Sequence, residues 1–71
     1  MKKEELLKLG FVDTSIKYEI GTLKQFTLKI NRVTTIETYD LTVDIFIFDQ
    51  LINVPNCKTI DDMKRLIKLF S

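Results

Sequence analysis

The fold is decided by residues 41–48, which read Leu-Thr-Val-Asp-Ile-Phe-Ile-Phe. Apolar and polar residues alternate at the start, and β-branched and aromatic residues dominate, so the stretch is predicted to form a β-strand. One side of this strand carries Leu41, Val43, Ile45 and Ile47. At Phe46 and Phe48 the alternation fails, because the other side becomes apolar as well. A strand with two apolar faces must be covered on both of them.

The chain has 71 residues and is predicted to be a single domain, residues 1–71. A domain of this size buries only ~60% of the surface of its unfolded chain, so a partner or oligomerisation commonly stabilises it. Cys57 is the only cysteine and histidine is absent, which excludes an internal disulfide, a Cys/His zinc site and histidine-dependent catalysis. We therefore expect a protein without enzymatic activity, metal or cofactor.

The formal net charge is +1, which does not favour nucleic-acid binding, although the charges are unevenly distributed. Residues 32–50 carry one basic and four acidic side chains, whereas both flanking parts of the chain have a basic excess. No signal-peptide pattern is present, and no stretch approaches the ~18 apolar residues of a membrane span. We expect a cytoplasmic protein with no membrane contact.

Two helices are predicted at the ends of the chain. The first covers residues 2–9 and ends at Gly10, which suits the left-handed C′ position. The second covers residues 59–70, with Thr59 as N-cap and Asp62 at the third helical position. Its apolar stripe consists of Ile60, Met63, Ile67 and Phe70, widened by Leu66 and Leu69.

Three antiparallel strands are predicted between the helices. Residues 15–20 and 24–31 alternate, and a loop of residues 21–23 would set Tyr18 opposite Phe26. Residues 32–39 are ambiguous: they continue the second strand past a bulge near residues 31–32, or form an open loop near residues 37–38. Residues 41–48 then run antiparallel to the second strand, and residues 51–54 add a short extended piece. The predicted class is α+β, with the C-terminal helix packed on one face of a three-stranded sheet.

Four residues are predicted to bind a partner. Phe46 and Phe48 would contact a second copy or a host protein, unless residues 1–9 or 51–54 fold over them. Asp40 and Asp44 would belong to an acidic patch, although pairing with Lys17 or Lys29 in solvent explains them more simply. They lie about 13 Å apart at ~3.3 Å per strand residue, too far to share one metal ion.

The first residues, Lys-Glu-Glu-Leu-Leu-Lys-Leu-Gly-Phe, and the last, Thr-Ile-Asp-Asp-Met-Lys-Arg-Leu-Ile-Lys-Leu-Phe, resemble the ends of small accessory proteins encoded by bacteriophages and prophages. This resemblance implies a protein that acts by binding, and inhibitors of host defence complexes, including anti-CRISPR proteins, are one such group. We expect a non-catalytic interaction protein, a homodimer. The alternatives are a nucleic-acid-binding accessory protein or a dimer that sequesters a small ligand.

Overall fold

The computed structural model describes residues 1–39 and 42–71, which form two helices and seven strands. In chain order these are α1 (Lys3–Lys8), β1 (Val12–Asp13), β2 (Ile16–Tyr18), β3 (Gly21–Leu23), β4 (Gln25–Lys29), β5 (Thr34–Tyr39), β6 (Thr42–Ile47), β7 (Gln50–Asn53) and α2 (Ile60–Phe70). Five strands form an antiparallel sheet in the order β1-β4-β5-β6-β7, and β2 pairs with β3 alone.

The predicted three-stranded sheet is wrong, although the α+β class and both helices agree with the structure. The predicted first hairpin is wrong too, because Tyr18 lies opposite Gly21 and not opposite Phe26. Residues 16–18 pair with residues 21–23 across a two-residue loop. Val12 pairs with Thr27, so the β1–β4 pairing continues the register of the β2–β3 pairing. The prediction assumed that apolar residues face each other, but β2 is exposed, so burial does not determine its register.

The segment that was ambiguous in the sequence is the central strand of the large sheet. In β5, Ile36 lies between Leu28 of β4 and Ile45 of β6 and is 0% exposed. The predicted pairing of residues 41–48 with the second strand is therefore wrong, because β5 lies between them. The turn before β5 is made by Asn31, whose Oδ1 accepts hydrogen bonds from the backbone N–H of residues 33 and 34 at 3.0 Å each.

One face of the large sheet, the core face, carries the hydrophobic core. Met63 of α2 is fully buried there with Ile36, Val43 and Ile45, and α1 contributes Leu6. Packing of the C-terminal helix on one face of the sheet was predicted and is confirmed. Tyr18, also predicted on this face, is instead exposed on the β2–β3 hairpin. The opposite face, called the outer face, presents alternate residues of the same strands.

The end of α1 and the start of α2 are capped as their sequences predict. Gly10 adopts a φ of +102°, and the N–H of Phe11 donates to the carbonyl of Leu6 at 3.1 Å, which closes α1 in a Schellman motif. At α2, Thr59 Oγ1 accepts from Asp62 N, and the Asp62 carboxylate accepts from Thr59 N, each at 3.1 Å. Backbone hydrogen bonds from Lys58 and Thr59 hold the pKa of Asp62 below its usual value.

The central position of β5 can be tested with Ile36→Ala. Removing this fully buried side chain should lower the free energy of unfolding by about 2–5 kcal/mol in urea denaturation, because it leaves a cavity between β4, β6 and α2. Ile20→Ala, at a side chain that is 100% exposed, is the matched control and should stay within about 0.5 kcal/mol of wild type. Equal losses at the two positions would contradict the central placement of β5.

Candidate functional site

The turn between β6 and β7 has an unusual backbone conformation. Phe48 and Asp49 form its two-residue loop, with φ angles of +50° and +66°. Positive φ at both loop residues is the pattern of a type I′ turn, where Asn and Gly are preferred. A phenylalanine at this position is strained, since its Cβ crowds the backbone in the left-handed region. Its ring gains little packing in return, because Phe48 is 74% exposed.

Phe48 forms part of the rim of a groove at one end of the outer face. This aromatic groove has a volume of about 300 Å³ and is lined by Lys29, Arg32, Val33, Thr35, Phe46, Phe48 and Asp49. The strand register explains the composition, because Lys29 lies opposite Thr35, and Thr35 lies opposite Phe46. Two aromatic rings and two cationic side chains therefore meet around one concave surface, with a single carboxylate among them.

The structure separates the four residues that the sequence singled out for partner binding. Phe46 and Phe48 both line the aromatic groove, and Leu51 lies directly opposite Phe46 in β7. Residues 50–53 therefore flank Phe46, but Phe48 projects beyond them. Asp44 lies two residues from Phe46 on the same face, and Asp40 lies outside the described residues. A role in partner binding stays a prediction for all four.

Asp44 is buried within the outer face, with only 5% of its surface exposed. Its carboxylate accepts a hydrogen bond from Asn53 Nδ2 at 2.9 Å and one from the Tyr39 hydroxyl at 3.0 Å. These neutral donors, and not Lys17 or Lys29, are its hydrogen-bond partners. The hydrogen bond to Asp44 raises the pKa of Tyr39, and the negative charge of Asp44, burial and the charge of Glu37 act in the same direction.

Cys57 lies in a second groove, of about 340 Å³, between α2 and the loop that precedes it. The groove is lined by Val54, Asn56, Cys57, Asp62, Arg65, Leu66 and Leu69. Burial, and then the nearby charge of Asp62, raise the pKa of the Cys57 thiol, so the nucleophilic thiolate is disfavoured. Asp62 is engaged in the helix cap, and Arg65 lies 3.5 Å from it. This groove therefore offers an apolar surface and no activated group.

Sequence reasoning missed Lys29 and Arg32 as neighbours of the two phenylalanines. They are distant in the chain, and the contact follows from the order β4-β5-β6, which the sequence did not predict. Among the described residues, no three acidic, cysteine or histidine side chains cluster in a way that could hold a metal ion. Within residues 1–39 and 42–71, neither helix has the length and apolar character that crossing a membrane requires.

No family model, curated protein or solved structure matches the chain. The aromatic groove and the Asp44 hydrogen bonds must therefore be interpreted from their own geometry. Of the two, the groove is open to a partner, whereas the carboxylate of Asp44 is already satisfied inside the chain.

The Tyr39–Asp44 hydrogen bond predicts a pH dependence at alkaline pH. Because the Tyr39 pKa is raised above its unfolded value of about 10, its stabilising contribution is complete below that pH and is lost as the pH rises through the folded pKa. Ultraviolet absorbance of tyrosinate, recorded in a Tyr18→Phe background, reports the Tyr39 titration alone. Asp44→Asn should return this pKa toward its ordinary value, and an unchanged titration would contradict the assignment.

The strained turn predicts that Phe48→Asn stabilises the protein. Asparagine tolerates the left-handed conformation, so the free energy of unfolding should rise by roughly 1 kcal/mol in urea denaturation. Phe48→Ala is the control, because it removes the exposed ring but keeps the unfavourable backbone, and it should change stability by less than about 0.5 kcal/mol. Similar losses of stability in Phe48→Asn and Phe48→Ala would show that the lost ring, and not the turn, dominates.

Proposed function

We propose that this protein is a small, non-catalytic binding protein that contacts a macromolecular partner through the aromatic groove. The observation that carries the proposal is Phe48, an exposed aromatic residue held in a strained left-handed conformation at the rim of the groove. A turn that only reverses the chain would be more stable with Asn or Gly. A contact of the ring with a partner would offset this strain. Strained backbone conformations tend to occur at functional sites.

The chemistry of the groove indicates the partner. Phe46 and Phe48 provide apolar anchors, and aromatic residues are enriched at the centres of interfaces. Lys29 and Arg32 flank them, so carboxylates on the partner would be complementary. The best fit is a protein segment with an apolar or aromatic side chain beside acidic residues.

The most concrete form of this proposal is an inhibitor of a host defence complex acting in the cytoplasm. Its support is the resemblance of both chain ends to small phage and prophage accessory proteins, together with a fold that presents a contact surface. Such an inhibitor would act by occlusion, because the groove offers aromatic and cationic contacts and no activated nucleophile. The acidic segment of the partner would occupy the groove between Arg32 and Phe48.

One observation also favours single-stranded nucleic acid as the ligand. Bases stack on exposed aromatic rings while cationic side chains follow the phosphates, and this groove brings Phe46 and Phe48 next to Lys29 and Arg32. Asp49 at the rim would repel phosphate, so the acidic protein segment remains the first candidate. The two ligands differ in their salt dependence, since binding to nucleic acid weakens steeply as salt rises.

The test uses Phe48→Asn, which keeps the turn while removing the ring, and Leu69→Asn as the matched control. Leu69 is 75% exposed on α2, so both variants lose a similarly exposed apolar side chain. A random peptide array is probed with wild type and both variants. Wild type should bind peptides that combine acidic and aromatic residues, and Phe48→Asn should weaken this binding by roughly tenfold or more, as expected for an interface hot spot.

A labelled oligothymidine, tested in parallel at low and high salt, separates the two candidate ligands, since Arg32→Glu should weaken the binding of either. Salt-sensitive binding of the oligonucleotide, lost in both Arg32→Glu and Phe48→Asn, would identify nucleic acid as the ligand. Peptide binding that Phe48→Asn and Leu69→Asn leave equally intact would contradict a role for the aromatic groove.

A further inference from the structure

β7 is an outermost strand of the five-stranded sheet, and all of its residues are exposed. An exposed strand edge presents unpaired backbone groups that can pair with another chain. We propose that two copies of this protein pair through β7, antiparallel, around a two-fold axis at Ile52. This proposal concerns an edge of the sheet and does not depend on the ligand of the aromatic groove.

The register of the β6–β7 hairpin determines which backbone groups of β7 are available. The N–H of Val54 donates to the carbonyl of Val43 in β6 at 2.9 Å. Since backbone groups of successive residues point to opposite sides of a strand, those of Ile52 also point toward β6. The N–H and carbonyl groups of Leu51 and Asn53 therefore point to the open edge.

A two-fold axis at Ile52 satisfies these groups within β7 itself. Leu51 of each copy then lies opposite Asn53 of the second copy, and each such pair exchanges its N–H and carbonyl groups as a hydrogen-bonded pair. Ile52 meets Ile52 of the second copy in the non-hydrogen-bonded pair between them, where side chains approach most closely. The axis is perpendicular to the sheet, so the core faces of both copies lie on the same side. The two apolar Ile52 side chains therefore meet on that side.

Charge complementarity also favours a second copy as the occupant. β7 itself carries no charged side chain, so the pairing opposes no like charges. Asp49 precedes the strand and Lys58 follows its last residue by five positions. An antiparallel arrangement therefore directs the acidic end of one strand toward the basic end of the other. The opposite edge, β1, has only two residues, one of them Asp13, whose carboxylate lies 3.7 Å from Lys3.

A self-complementary edge produces a closed dimer and not a fibre. Each copy uses its β7 edge to pair with the β7 edge of the other, so no β7 edge stays free to add a third copy. The two five-stranded sheets would then become continuous, with both pairs of helices on one side. Both aromatic grooves would lie on the other side, so the dimer would present the proposed binding site twice on one surface.

Cysteine cross-linking tests the register. Ile52→Cys in a Cys57→Ser background, with oxidised glutathione as the oxidant, should give a covalent dimer, because opposed Cβ atoms lie about 4.5–5.5 Å apart, near disulfide range. Gln50→Cys in the same background is the matched control and should stay monomeric on a non-reducing gel. Its two copies would lie roughly 14 Å apart along the strands, at about 3.4 Å per residue. Equal cross-linking at both positions would overturn the register.

Sedimentation equilibrium tests the dimer itself without cysteines. Wild type should be dimeric, and Ile52→Lys should weaken dimerisation by roughly tenfold or more, because the new charges face each other across the axis. Gln50→Lys adds the same charge to the same strand without facing its own copy, and it should weaken dimerisation less. Circular dichroism confirms that each variant is folded. A monomeric wild type at all concentrations, or equal effects of the two lysines, would overturn the proposal.

Discussion

The structure depends on the contact between α2 and the centre of the five-stranded sheet. Met63 meets Ile36 and Val43 there, and all three side chains are almost completely removed from solvent. A chain of this size has room for one such core. This contact therefore determines which face of β5 and β6 points inward. By strand alternation it also directs Asp44 and Phe46 to the outer face, where the candidate site lies.

The outer face divides into a closed part and an open part. Around Asp44 the polar groups satisfy one another, since Tyr39 and Asn53 both donate to its carboxylate. A buried carboxylate with these partners orders the middle of the face but leaves little for a ligand to bind. The end of the face is open instead, because the β6–β7 turn holds the Phe48 ring in solvent. The backbone of Phe48 adopts the left-handed conformation there, which phenylalanine disfavours. The exposed Phe48 ring therefore lies beside the cationic side chains of Lys29 and Arg32 at this end.

The errors in the predicted sheet have a common physical origin. Strand pairing depends on residues far apart in sequence, and apolar parity indicates a register only where one face is buried. Residues 16–23 pair with each other in an exposed hairpin, so their alternation carried no information about the core. Residues 34–39 were ambiguous because the preceding turn uses the side chain of Asn31 in place of a glycine or proline. Once β5 occupies the centre, Thr35 lies between Lys29 and Phe46, and Arg32 of the preceding turn lines the same groove.

By itself the sequence determined the features that rest on near neighbours: both helices, the Gly10 stop, the Thr59–Asp62 cap, the strand nature of residues 42–47 and the apolar Phe46 on its second face. The prediction that Phe48 belongs to the same strand is wrong, because the strand ends at Ile47 and Phe48 lies in the turn. Capping hydrogen bonds and amphipathic periodicity act within a few residues, so they can be read locally. Only the tertiary structure decided the strand order, the burial of Asp44, the basic flank of the aromatic groove and the open edge of β7. These features depend on which strands become neighbours, and that choice is governed by the burial of apolar residues from distant parts of the chain.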